Sequence, residues 1–120
     1  MLSISSPYRY YLYRGQADMR KSFNGLSGLV RNEFQKDPLS GEIFIFINKR
    51  CNQVKLLLWE QDGFSLYYKR LEKGTYELPC RKENTPCVEL RSDELILILQ
   101  GISLKSIQRR KRFHLQEKNN

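Results

Sequence analysis

The residues best suited by type to hold a metal or act as a nucleophile are three cysteines, Cys51, Cys80 and Cys87, and one histidine, His114. Their spacing serves neither purpose. A structural zinc site needs paired ligands of the C-x2-4-C and H-x3-5-H kind, so that four donors close on one ion, and no such pair occurs. A cysteine with a single histidine becomes a nucleophilic site only when a third group orients the base, and no such group is marked. Idle or buried reduced thiols are the expectation, which places the chain in the cytoplasm. Met1 to Ser6 is short, is followed by Pro7 and a Tyr/Arg mix, and does not resemble a signal peptide.

Carboxylates could do phosphoryl-transfer chemistry instead, with three of them holding two divalent ions ~3.5 to 4 Å apart. Here each conspicuous acid already has a local role: Asp62 lies in an Asp-Gly turn, Asp18 is placed to cap a helix, and Asp93 and Glu94 open another helix. What remains is scattered, as at Glu42, Glu60, Glu77 and Glu89. Gly25 and Gly28 lack the following Lys-Ser/Thr pair of a phosphate loop. The expectation is a protein that is not an enzyme and holds no metal or cofactor.

The cations point to binding. Lys and Arg total 21 against 13 Asp and Glu, for a net charge of +8. They are unevenly placed: residues 1–36 carry a surplus of four, residues 37–100 a deficit of one, and residues 101–120 a surplus of five. Basic ends on a neutral middle suit a polyanion, because each phosphate neutralised releases condensed counterions. Arg20 and Lys21 are placed at the start of a helix, where the macrodipole disfavours cations unless an anion or an acid offsets them. Lys49 and Arg50 lie on a turn, Lys55 on the strand after it, and Lys69 and Arg70 on the next strand; these could converge on one face. Arg109, Arg110, Lys111 and Arg112 form the densest cationic run. Tyr8, Tyr10, Tyr67 and Trp59 could interleave with these cations, as suits single-stranded or distorted DNA; ordinary packing is the expectation for Trp59 and Tyr68.

These side chains need a scaffold. Tyr8 to Arg14 reads as a first strand. From an Asp18 cap, Met19, Phe23, Leu26, Val30 and Phe34 draw one apolar stripe on a long helix that ends at Lys36-Asp37-Pro38. Gly25 and Gly28 inside it suggest close approach to the sheet or, alternatively, flexibility. Glu42 to Asn48 carries five apolar residues in a row, the mark of a central strand covered on both faces. Gln53 to Glu60 alternates Val54, Leu56 and Leu58 against Lys55, Leu57 and Trp59; Asp62-Gly63 turns the chain into Phe64 to Leu71, and Thr75 to Leu78 follows as a short strand. Pro79 to Pro86 reads as a loop and Val88 to Leu90 as a short strand. A Ser92-capped helix runs from about Asp93 to Gln100, with Gly101 closing it.

The expected fold is α+β: an antiparallel β-meander with one long helix after the first strand and a short C-terminal helix. Residues 1–104 make one domain, and 105–120 a basic tail that stays mobile until it binds. No apolar run approaches the ~18 residues that a membrane-spanning helix needs.

Four blocks carry a resemblance: Asp18 to Leu26 (DMRKSFNGL), Gly41 to Asn48 (GEIFIFIN), Lys55 to Phe64 (KLLLWEQDGF) and Tyr67 to Gly74 (YYKRLEKG). In order and spacing they resemble the TnpB-type accessory proteins of the IS Sixty-Six class of insertion sequences, which are distinct from the longer RNA-guided nucleases that share the name TnpB. The likeness covers roughly residues 8–104. It implies a short non-catalytic protein encoded beside a transposase of the acidic-triad type, whose partners are that transposase and DNA, in particular the element ends. Asn24 stands where the family pattern usually has Asp. The expected function is accessory to transposition through DNA or transposase binding; the alternative is a protein adaptor that does not touch DNA.

Overall fold

The computed structural model describes residues 7–79 and 84–101. Five strands, β1 (Tyr10–Tyr13), β2 (Ile43–Ile47), β3 (Gln53–Trp59), β4 (Phe64–Arg70) and β5 (Cys87–Leu90), form one sheet in the order β4-β3-β2-β1-β5. Helix α1 (Phe23–Leu29) continues into a wider π-type turn, Val30–Phe34, and α2 (Ser92–Gln100) follows β5.

The uninterrupted apolar run of β2 is buried at all five residues and occupies the middle of the sheet. Strand alternation sends Ile43, Ile45 and Ile47 to one side, where they join Tyr10, Leu12, Val54, Leu56, Leu58, Leu95 and Ile98. Phe44 and Phe46 go to the other side, with Tyr11, Leu57, Leu26, Val30 and Phe34. Each helix therefore covers one face, α2 the first and α1 the second, and burial of both faces accounts for the lack of polar interruptions in β2.

The sheet is mixed, which corrects the antiparallel meander. From β2 through β4 the meander is present, with Ile47 opposite Val54 and Trp59 opposite Phe64. But β1 lies parallel to β2, Tyr10 opposite Ile43, and antiparallel to β5, Tyr13 opposite Cys87. The cause is the helix between β1 and β2: a chain that crosses the sheet face before pairing again returns in the parallel sense.

The helix itself is shorter and starts later than its apolar stripe suggests. The Asp18 carboxylate accepts the N–H of Arg20 at 2.9 Å, and the Asp18 carbonyl accepts the N–H of Lys21 at 3.0 Å. A side chain so engaged two residues on makes a turn rather than a cap. Helix α1 then begins at Phe23, so Arg20 and Lys21 precede it. At its far end Gln35 is left-handed (φ 53°), and the N–H groups of Gln35 and Lys36 both reach the Val30 carbonyl. A Cβ at Gly25 would meet the Lys21 side chain at 3.0 Å, and one at Gly28 nothing within 4 Å. The close approach is thus to the preceding loop, not to the sheet. Arg91, not Ser92, occupies the cap position of α2, where Glu94 accepts its N–H at 3.1 Å; Gly101 ends that helix at φ 76°.

Thr75 to Leu78 is not a strand. One backbone bond, from Tyr76 N–H to the Cys51 carbonyl at 2.7 Å, ties it to the β2–β3 turn, and the Tyr76 ring sinks into the α2-side core. Its hydroxyl is buried with no hydrogen-bond partner among the described residues, and burial pushes the phenol pKa up. An unpaired buried hydroxyl costs roughly 1–3 kcal/mol. Tyr76→Phe is therefore expected to hold or raise stability, by up to about 2 kcal/mol in urea unfolding; a loss above about 1 kcal/mol would show that the hydroxyl is satisfied.

Candidate nucleic-acid interface

Strand polarity decides which charges meet. The carboxyl ends of β1, β2 and β4 and the amino ends of β3 and β5 share one end of the sheet. The β1–α1 loop stays there, held by Ala17 N–H to the Ile47 carbonyl at 3.0 Å. So do the β2–β3 turn and the segment after β4, since Leu71 N–H reaches the Asn52 carbonyl at 2.8 Å. This end gathers Arg14, Arg20, Lys21, Lys49, Arg50, Lys69, Arg70 and Lys73 against Asp18, Glu72 and Glu77. At the opposite end Glu42, Glu60, Asp62, Glu89, Asp93 and Glu94 surround Arg9 and Arg91. Those two arginines face Glu89 at 3.9 Å and Asp93 at 3.0 Å respectively. The molecule is polarised along its strands.

The turn that presents Lys49 and Arg50 is rigidly made. Asn48 Oδ1 accepts the N–H groups of Asn52 at 3.0 Å and Gln53 at 2.9 Å, its Nδ2 donates to Asn52 Oδ1 at 2.7 Å, and Cys51 takes a left-handed φ of 57°. Lys21, Lys49, Arg50 and Lys69 are exposed, with no carboxylate at ion-pair distance among the described residues. Arg70 is exposed and loosely paired to Glu72 at 3.8 Å.

Arg20 is engaged already. Its Nε donates to both Asp18 oxygens, at 3.0 and 3.1 Å, and its Nη2 to one at 2.8 Å. The salt bridge, rather than a helix-terminal anion, answers its position. Hydrogen bonds from the Arg20 side chain and backbone hold the Asp18 carboxyl down at about 2, against an ordinary 3.8. A carboxylate with a depressed folded pKa contributes stability above its unfolded pKa and loses it as pH falls through the folded value. The Asp18 contribution is thus present above pH 3.8 and lost on acidification toward 2. Arg20→Gln is expected to return the Asp18 carboxyl titration, followed by carbon NMR, toward 3.8; a titration still centred near 2 would place the cause elsewhere.

Lys55 is placed differently from the other cations. It is only 5% exposed, on the α1 face of β3, and its ammonium donates to the carbonyls of Met19 at 2.8 Å and Lys21 at 2.7 Å. Its third side lies over the Tyr68 ring, 4.5 Å from the centroid. It is an internal strut between the sheet and the β1–α1 loop. Strand alternation put Lys55 on the face of Leu57 and Trp59, and that it is covered there was invisible without the loop.

The aromatic residues separate as well. Tyr10 is fully buried and Tyr8 lies at the acidic end, packed edge-on to Tyr10. Trp59 packs edge-on against Phe64 at 5.0 Å, as expected of a packing residue. Two open clefts of about 640 and 620 Å³ flank Tyr8 there, the first lined by Trp59 and Glu60, the second by Arg9 and Glu89. Tyr67, opposite Leu56 in mid-strand, and Tyr68, opposite Lys55, are exposed on β4, and Tyr68 packs on the sheet surface against Gln53 and Lys55. Arg109 to Arg112, Cys80 and His114 lie outside the described residues. Among the described residues no three His, Cys, Asp or Glu side chains gather as metal ligands, and no helix is long and apolar enough to cross a membrane.

Comparison with known proteins agrees with the four sequence blocks. Residues 8–109 match the family described as IS66 Orf2 like protein. Two relatives from Sinorhizobium fredii, both termed uncharacterized, are y4jC, 29% identical over 92% of each chain, and y4hO, 26% identical over 90% of this chain and 92% of its own. No solved structure matches significantly.

Proposed function

This chain belongs to the IS66 Orf2-like family of insertion-sequence proteins, and from that premise we propose that it assists transposition without catalysing it, by laying its cationic sheet end along DNA phosphates beside the transposase. The observation that supports this reading is the polarised charge. Lys21, Lys49, Arg50, Lys69 and Arg70 come from three separate loops and strands, yet all emerge at one end, where cations outnumber Asp18, Glu72 and Glu77, while at the other end carboxylates outnumber Arg9 and Arg91. Such a field orients a small protein on a polyanion and speeds its encounter. Rigid positioning of Lys49 and Arg50 by Asn48 limits the entropy lost on contact. Phosphate contacts of this kind fix register but do not read sequence, so base specificity would come from the transposase in the same cytoplasmic complex.

The direct test is binding of the full chain to duplex DNA of an element end, followed by anisotropy from ~50 to ~200 mM salt. Five to eight phosphate contacts, the tail included, predict log Kd rising with log salt at a slope of about 5 to 7. Absence of binding at the low-salt limit would reject direct DNA contact. Co-purification with the transposase after nuclease treatment would then assign the chain the adaptor role.

A further inference from the structure

Two residues before the end of strand β4 stands a tyrosine that nothing in the core requires. Tyr68 is 51% exposed, yet it is not free to move: its hydroxyl donates to Gln53 Oε1, and the Lys55 ammonium lies over its ring at 4.5 Å. Lys55 is itself fixed by the two loop carbonyls. The ring is thus held at its rim by Gln53 and over one face by an ammonium that is itself fixed. Next to it opens a recess of about 310 Å³ lined by Tyr68, Arg70 and Glu72. Arg70 brings a guanidinium, and Glu72, 3.8 Å from it, is loosely paired and highly exposed, so a phosphate can take its place at little cost.

A preset aromatic face beside a cation, at the phosphate-attracting end of the molecule, has the features that hold an unpaired nucleobase: stacking on the ring and a guanidinium for the flanking phosphate. A paired base presents no free π-face, so intact duplex cannot use the ring. We propose that Tyr68 and Arg70 form a stacking site for one unpaired DNA base, so that the protein favours distorted or gapped DNA over continuous duplex. This rests on the DNA-contact reading above and deepens it.

The experiment compares the full chain on two probes of equal length, a continuous duplex and the same duplex with a short single-stranded gap carrying 2-aminopurine. The wild type is expected to bind the gapped probe about 5- to 150-fold more tightly, the range of one stacked base, and to quench the 2-aminopurine fluorescence. Tyr68→Leu should lose the preference and the quenching while keeping its duplex affinity; Tyr68→Phe, which retains the ring, should keep both. Thermal melts of each variant verify folding. Equal affinity of the wild type for both probes, or a preference surviving Tyr68→Leu, would overturn the stacking site and leave duplex binding standing. Binding to neither probe at low salt would overturn both.

Discussion

Replacing Lys55 by Met is expected to lower folding stability by about 2–4 kcal/mol, although the substitution exchanges a cation for an apolar side chain of similar length in a nearly closed position. The reason lies in what is left behind. Two carbonyls of the β1–α1 loop, Met19 and Lys21, accept from the Lys55 ammonium at 2.8 and 2.7 Å. Hydrogen bonds to a charged donor contribute roughly 1.5–3 kcal/mol each. Because Lys21 is exposed, water replaces part of what is lost, and the desolvation cost of the buried ammonium disappears as well. Urea unfolding reads the change as a lower midpoint at unchanged slope. A surface phosphate contact would behave the opposite way, with stability held within about 0.5 kcal/mol and DNA affinity reduced. That pattern would refute the strut.

Removing four cations at once, Lys49, Arg50, Lys69 and Arg70 to Ala, is expected to weaken duplex binding by about 100- to 1,000-fold at ~0.1 M salt and to flatten the salt slope by about 3 to 4. Each side chain is exposed, and none supports the core. Stability should therefore change by no more than about 0.5 kcal/mol per site. Neutralising Arg9 and Arg91 at the acidic end, two charges against four, is the control compared per charge removed, and should leave affinity unchanged. Equal losses per charge from both ends would mean that total charge, not its polarisation, attracts DNA. A weaker complex with an unchanged slope would mean that the four side chains do not meet phosphates.

Much of the scaffold was legible before the fold was known. The five apolar residues of β2 announced a strand buried on both sides, the alternation of β3 assigned each residue to its face, Asp62-Gly63 marked the hairpin, and Gly101 closed α2. The misreadings share a cause, which is a partner distant in sequence or a local bond that outcompetes propensity. Asp18 has the residue type of a cap, but its carboxylate bonds to Arg20, and the helix waits until Phe23. Tyr76 lies in a stretch with strand propensity, but the ring is anchored in the core while the backbone makes one bond to Cys51.

Side-chain periodicity and turn chemistry are local properties, so composition, the positions of most elements and the family blocks came from the amino-acid order alone. Whether β1 joins β2 in parallel or antiparallel sense did not, because alternation looks the same in either direction and only the crossing of α1 over the sheet selects one. The same selection brings the cations of three separated segments to a common end, seals Lys55 beneath the loop it supports, and leaves Tyr68 facing outward on an edge strand. Charge along a chain can be counted residue by residue, but an electrostatic field exists only once distances between the charges are set, and packing sets them.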